Sequence, residues 1–203
     1  MLDKKENIIG KENIENIEKE ILLKKSISSV IMEEKDFDMI KSAIEKVMNK
    51  EIKGIKKLFQ ATINDGDYNI FHYKCDNISN TLILYESAGN RKFGGFASQS
   101  WGAKGGPVTD KNCFLFSLDN KKVYFPKNEN YFSIPFSPYI GPSFTSKNEF
   151  IIKIDKNIFN KKALYTRENS FKLMFDYDKN SLSEDGNFFG IDAKEYEVFE
   201  IKF

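Results

Sequence analysis

The stretch Lys92-Phe93-Gly94-Gly95-Phe96-Ala97-Ser98-Gln99-Ser100-Trp101 sets two adjacent glycines among three aromatic residues, with no acidic side chain. Few structures accommodate such a run. Glycine has no Cβ, so a glycine pair inside an apolar, strand-like segment marks a β-bulge or a close approach of another backbone, unless the run is a plain hairpin arm. Each reading makes the stretch part of a sheet, with a structural rather than a catalytic task.

The flanking punctuation is that of hairpins. Thr81-Leu82-Ile83-Leu84-Tyr85 reads as a buried strand ahead of the turn Ala88-Gly89-Asn90, which feeds Phe93 to Ala97. Cys113 to Leu118, the turn Asp119-Asn120-Lys121 and Val123-Tyr124-Phe125 form a second hairpin. Gly102 to Asp110 is a glycine-rich connection, and Pro135, Pro138, Gly141 and Pro142 punctuate a loop before the strand Phe150 to Ile154. In a last strand, Tyr196 to Phe203, the residues Phe199, Ile201 and Phe203 alternate with Glu200 and Lys202, the pattern of a sheet with one wet side. No long βαβ alternation occurs, which argues against a doubly wound parallel sheet.

Helices come earlier in the chain. Phe37, Ile40, Ile44, Val47 and Met48 share one face at helical periodicity over 36–49. Ile55, Leu58, Phe59 and Ala61 then read as a strand ended by the turn Asn64-Asp65-Gly66-Asp67, and Phe71 to Cys75 as a short helix. Residues 1–36 hold no aromatic, against 19 phenylalanines and nine tyrosines in the whole chain, so a compositional boundary falls near Phe37. Within this arm Ile14, Ile17 and Ile21 are spaced as the stripe of a short amphipathic helix, weakly ordered or docked. Gly10 precedes the stripe and Ser28 interrupts it, which is too short a run for a sustained coiled coil.

Composition excludes several functions. Basic residues number 31 and acidic residues 30, for a net charge of +1, and Arg91 and Arg167 are the only arginines. Nucleic-acid binding is therefore not expected. Cys75 and Cys113 form no CxxC unit and no disulfide framework, which suits a reducing compartment. The polar opening Met1 to Asn7 does not read as a secretory leader, and no apolar run approaches the ~18 residues of a membrane span, so the expectation is a cytoplasmic protein without direct membrane insertion.

The chemistry-bearing residues are few. His72 is the only histidine, and Cys75 lies three positions on, so both fall on one helical face. A thiol enzyme would use this pair, but two ligands are too few for zinc, and a buried cysteine commonly packs as a small hydrophobe. Asp176, Asp178, Asn180 and Glu184 begin a calcium-loop template, yet Ser181 takes the glycine position and Asn187 the closing glutamate position. Asp65, Asp67 and Asn69 fail in the same way at Ile70. In Gly102-Ala103-Lys104-Gly105-Gly106-Pro107 a proline without N–H stands where a phosphate-binding loop needs its lysine. Glu195 and Glu197, two apart on a strand, share a face, for which the default is a solvated row suited to orienting a protein partner. No catalytic residue, metal or cofactor is expected.

Taken in order, Leu58-Phe59-Gln60-Ala61-Thr62, Asp65-Gly66-Asp67, Phe71-His72-Tyr73-Lys74-Cys75-Asp76, Thr81 to Leu84, the Phe93-Gly94-Gly95-Phe96 to Trp101 stretch, Phe114 to Leu118, Gly141-Pro142-Ser143-Phe144 and Glu195-Tyr196-Glu197-Val198-Phe199 resemble a TLDc domain. The resemblance covers about residues 26–203, leaving 1–25 as an N-terminal arm, and the lysine and asparagine enrichment is similar to that of protist members. It implies a mainly β fold with α elements, a two-sheet antiparallel β-sandwich flanked by short helices. It also implies a non-catalytic role in protection against oxidative damage, with vacuolar proton-pumping ATPase subunits as partner, so that the protein would be recruited to the cytosolic face of acidic organelles. The motif residues Asp65, Gly66, Phe71, His72, Cys75, Asp76, Phe93, Gly94, Gly95, Phe96, Trp101, Gly141, Pro142, Phe144, Glu195 and Glu197 would be structural. Thr145-Ser146, where relatives often continue with glycine, and the segment 157–190 depart from the family pattern. A redox enzyme using Cys75 and His72, or a structural adaptor with another partner, are the alternatives.

Overall fold

The computed structural model describes residues 2–102, 108–126, 132–135, 139–146, 149–155, 163–166 and 189–203. Among the described residues three helices, α1 (Leu2–Lys25), α2 (Glu34–Met48) and α3 (Tyr68–Cys75), accompany eleven strands. These are β1 (Gly54–Gln60), β2 (Thr81–Ser87), β3 (Lys92–Ala97), β4 (Val108–Asp110), β5 (Phe114–Ser117), β6 (Lys122–Tyr124), β7 (Phe132–Ile134), β8 (Phe144–Ser146), β9 (Glu149–Asp155), β10 (Ala163–Thr166) and β11 (Phe189–Lys202).

Every ladder between these strands is antiparallel. β11 joins two sheets. Its first residues pair with β10, which continues through β9, β8 and β7 to β4; its remainder lies between β2 and β1, and β2 continues through β3 and β5 to β6. Ile83, Tyr85, Phe93, Leu115, Tyr196 and Val198 on one face of the six-strand sheet share a core with Ile134, Phe144, Ile152 and Ile154 of the other sheet. The result is a β-sandwich, mainly β with α elements.

The opposite face of the six-strand sheet is also dry. Leu82, Leu84, Phe96, Phe114, Phe116, Phe199 and Ile201 pack under Phe37, Ile40, Ala43 and Ile44 of α2 and under Leu23, Ile31 and Met32 of the segment before it. Each fully buried residue of the α2 stripe contributes about 1.5–3 kcal/mol relative to exposure. Asn49 in the left-handed region (φ 50°) stops α2. This helix is the one the periodicity predicts, shifted by one or two residues at each end.

The glycine pair sits at the centre of the sandwich. β3 pairs with β2 and β5 without a register shift, so no bulge is present. Close approach is the reason for both glycines. A Cβ on Gly94 would overlap the Ile83 carbonyl oxygen and stand 2.5 Å from Phe116 Cζ, while one on Gly95 would stand 2.5 Å from Phe144 Cζ and 2.8 Å from Leu115 Cδ2. Gly94 thus admits the helix-side core and Gly95 the sandwich core.

Two expectations change in extent. The last strand begins at Phe189 rather than Tyr196, and the N-terminal helix runs through Gly10 as one 24-residue element. Ile14, Ile17 and Ile21 of that helix are exposed.

Candidate functional site

α3 opens after the turn in which Asp65 (φ 53°) and Gly66 (φ 61°) take left-handed conformations. Asp67 caps the helix by accepting from Asn69 N at 2.6 Å. One turn on, His72 Nδ1 meets Asp76 Oδ1 at 2.8 Å and its Nε2 meets the Ile140 carbonyl oxygen at 3.0 Å. Asp76 ends α3 and bridges to Trp101, whose carbonyl accepts from Asn77 N at 2.9 Å. Trp101 Nε1 donates to Thr81 Oγ1 at 2.8 Å, and its ring packs edge-on to Phe71 and Phe144. A Cβ on Gly102 (φ 73°) would stand 2.6 Å from the Asp76 carboxylate, so glycine there makes room for the acid.

The dipeptide Gly141-Pro142, just before β8, is held from both sides. Tyr85 Oη donates to the Pro142 carbonyl at 2.9 Å, and the space beside Gly141 is filled by Ile154. His72, Asp76, Trp101, Gly141, Pro142 and Phe144 are therefore brought together at one end of the sandwich. There they tie α3, β8 and the loop after β3 to one another.

Cys75 lies in the same core and is fully buried. Burial is the main cause, with Asp76 second, that pushes its thiol up to about 12, and burial pushes Cys113 well up too. An activated thiol is lowered instead. Both nitrogens of His72 already have oxygen partners. A thiol raised that far stays protonated at pH 8, so Cys75 will resist iodoacetamide in the folded protein and react fully once urea unfolds it. Mass spectrometry of the alkylated peptide reads both states, and rapid native labelling would contradict the sealed geometry.

The expectation of a solvated glutamate row is overturned. Glu195 is 4 % and Glu197 0 % exposed. Both lie on the face of β11 that carries Phe199 and Ile201, the face over which α2 and the segment before it pack, and β11 has neighbours on both sides. A register shift between Lys57 and Phe59 in β1 turns both Lys57 and Gln60 toward this face. Lys57 Nζ donates to Glu197 Oε1 at 2.5 Å and to Gln60 Oε1 at 2.8 Å. Ser29 Oγ donates to Glu197 Oε2 at 2.5 Å, and Val30 N to the same carboxylate at 3.3 Å. Ser29 Oγ in turn accepts from Ile31 N and Met32 N. Glu195 accepts from Thr62 N, the Thr62 hydroxyl and Gln60 Nε2. The two acids pin the chain before α2 and the chain after β1 to the last strand.

Ser29 and Lys57 had no signal in the sequence beyond their polarity. Asp110 belongs to the same class: buried at 0 %, it accepts from Ser98 N, Ser98 Oγ, Gln99 N and Asn112 N and closes the base of the loop between β3 and β4.

Among the described residues no group of three or more His, Cys, Asp or Glu comes together as a metal site requires. The incomplete calcium template at Asp176, Asp178, Asn180 and Glu184, and the loop core 103–107, lie outside the described residues. Exposed large apolar side chains occur on α1, at Ile14, Ile17, Ile21 and Leu22, and also on α3 and the segments bonded to it. Ile63, Tyr73 and Tyr139 are exposed, and their segments are tied by Lys74 Nζ to Asn64 Oδ1 (3.3 Å) and by His72 to Ile140.

Compared with known families, the model described as the TLDc domain matches residues 25–202. No curated protein matches the chain.

Proposed function

The chain belongs to the TLDc domain family, and from that premise we propose that it is a non-catalytic interaction domain that binds and modulates the vacuolar proton-pumping ATPase. The family is associated with oxidation resistance and points to protein–protein interaction. In this reading residues 26–203 form the docking domain and 1–25 an appended arm. The protein works in the cytoplasm and is recruited to the cytosolic face of acidic organelles. No helix among the described residues is long and apolar enough to cross a membrane, which suits recruitment through a protein contact.

One observation carries the non-catalytic reading. His72, Cys75, Glu195 and Glu197, the side chains best equipped for acid–base or thiol chemistry, are either bonded into the framework or sealed in the core. On the domain surface, Ile63, Tyr73 and Tyr139 are among the exposed apolar side chains, and amphipathic tyrosines suit protein contacts. Tyr73, 90 % exposed, is the natural anchor.

Affinity purification from native cells, with and without nucleotide, tests the assignment. ATPase subunits are expected to co-purify with the wild type, and Tyr73→Glu to lower their recovery about tenfold, the loss of a modest hot spot. Recovery of no ATPase subunit in either condition removes this partner. A different, saturable partner would establish the adaptor reading instead.

A further inference from the structure

His72 is the only histidine in the chain, and its ring is held between two oxygens. Nδ1 meets Asp76 Oδ1 at 2.8 Å, and Nε2 meets the Ile140 carbonyl oxygen at 3.0 Å. Neither oxygen brings a proton. A carboxylate and a carbonyl only accept, whereas a neutral imidazole donates from one nitrogen and accepts at the other. Both contacts are therefore hydrogen bonds only when the ring donates twice, as the imidazolium.

The other titratable and charged groups near α3 are engaged elsewhere. On the helix itself, Lys74 turns its ammonium to Asn64 Oδ1 at 3.3 Å, and Cys75 is sealed in the core. In the turn before the helix, the Asp67 carboxylate accepts from Asn69 N. β1, packed beside α3, presents Phe59 edge-on to Phe71, and its Lys57 ammonium is bonded to Gln60 and Glu197. The loop after β3 brings Trp101 and Gly102, both uncharged, against Asp76. The segment before β8 brings the Ile140 carbonyl, next to the exposed Tyr139. Asp76 is thus the charged group that the ring meets.

We propose that His72 is a proton-dependent latch: the ring fastens α3 to the segment before β8 while both of its nitrogens carry protons, and releases that segment when one proton leaves. The neutral ring keeps its bond to Asp76, because a bond to a carboxylate is the stronger of the two. It then sets a bare Nε2 lone pair against the Ile140 carbonyl, so α3 stays formed and the Ile140 side opens. Histidine changes charge between about pH 5 and 8. The latch is closed on the acid side of that change and open on the basic side. It spans two exposed aromatic residues, since Tyr73 follows His72 and Tyr139 precedes Ile140, and it sets the spacing between them. The proposal is independent of the ATPase reading, since it needs only the purified chain.

Amide exchange followed by NMR on the full chain provides the test, read as protection factors at about pH 5.5 and about pH 8, so that the intrinsic pH dependence of exchange cancels. The reporter is the Gly141 amide, which donates to the Ile154 carbonyl at 3.0 Å directly after Ile140. The control is the Leu118 amide, bonded to the Lys92 carbonyl at 2.9 Å. Gly141 is expected to lose about tenfold in protection at the higher pH, the effect of losing one bond from a charged donor, while Leu118 is unchanged. His72→Gln should show the weakened Gly141 at both pH values. Asp76→Asn separates a latch from a merely structural contact. Its side-chain amide donates to Nδ1, so the neutral ring keeps Nε2–H for Ile140, and Gly141 should stay protected at both pH values. Equal protection of Gly141 at the two pH values in the wild type overturns the proposal, as does an Asp76→Asn protein that still loses protection at the higher pH. Neither of these readings depends on whether His72→Gln folds.

Discussion

Gly95→Val will leave the domain without a cooperative unfolding transition. The first added carbon already stands 2.5 Å from Phe144 Cζ and 2.8 Å from Leu115 Cδ2, and valine adds two more. Phe144 cannot swing aside easily, since its ring packs edge-on to Trp101 at 6.1 Å and is fully buried. Ordinary overpacking by a methylene costs about 1–3 kcal/mol. Here the clash drives the two sheets apart, and a loss of about 4 kcal/mol or more takes a large share of the roughly 5–15 kcal/mol that holds a typical domain. Gly94→Ala should be as severe, because the Cβ meets the Ile83 carbonyl oxygen, which is backbone. Gly89 is the control: it is exposed, and the nearest atom to its Cβ is Ser87 Oγ at 3.8 Å. Gly89→Ala should change stability by less than about 0.5 kcal/mol. Circular dichroism against temperature and urea reads all three. A Gly95→Val protein that melts as the wild type would show that the sheets do not meet as described.

The second large effect is expected at Glu197. Glu197→Ala strips the partner from the Lys57 ammonium, the Ser29 hydroxyl and the Val30 amide at once. Breaking a buried pair by removing one member costs about 3–5 kcal/mol. The Lys57 side chain is 20 % exposed and recovers some water, which places the expected loss near 3 kcal/mol. Glu197→Gln keeps the shape and an acceptor oxygen, and should cost less than half as much. Amide exchange separates the local effect from the global one. Val30 and Ile31 should lose protection in Glu197→Gln before the strands do. Equal protection in the variant and the wild type would mean that the carboxylate does not hold this segment.

The hairpins were legible because their punctuation is local. Ala88-Gly89-Asn90 and Asp119-Asn120-Lys121 announce their turns within a few residues, and the strands on either side follow. The α2 stripe was legible for the same reason, as were the glycines in the sense that a missing Cβ implies a near neighbour. Which neighbours they were, Ile83 and Phe116 on one side and Leu115 and Phe144 on the other, depends on long-range register that no local pattern carries.

The glutamates show a different limit. Glu195 and Glu197 share parity with Phe199 and Ile201, and that alternation places all four on one face. Read from charge, the face looked wet. Read from its apolar members, it was the buried one. What resolves the conflict is the set of donors from Ser29, Val30, Lys57, Gln60 and Thr62, which come from segments some 130 to 170 positions away in the chain. A buried carboxylate is satisfied by neighbours that a one-dimensional pattern does not pair. The register shift in β1 was equally hidden, since a bulge reverses the alternation by which a strand is read.

The strand β11, shared by both sheets, sets the order of events at synthesis. Its partners β2, β1 and β10 all leave the ribosome before it, and the first contact between the chain near Ser29 and the chain near Glu197 must wait until β11 has been made. Until then β2 and β10 each offer a row of unpaired amides and carbonyls, and the glutamate pocket has donors without an acceptor. Closure over such sequence separations is slow compared with local helix formation. Between the synthesis of β2 and that of β11 the nascent chain therefore carries an open template for mispairing, and one strand then seals both halves together.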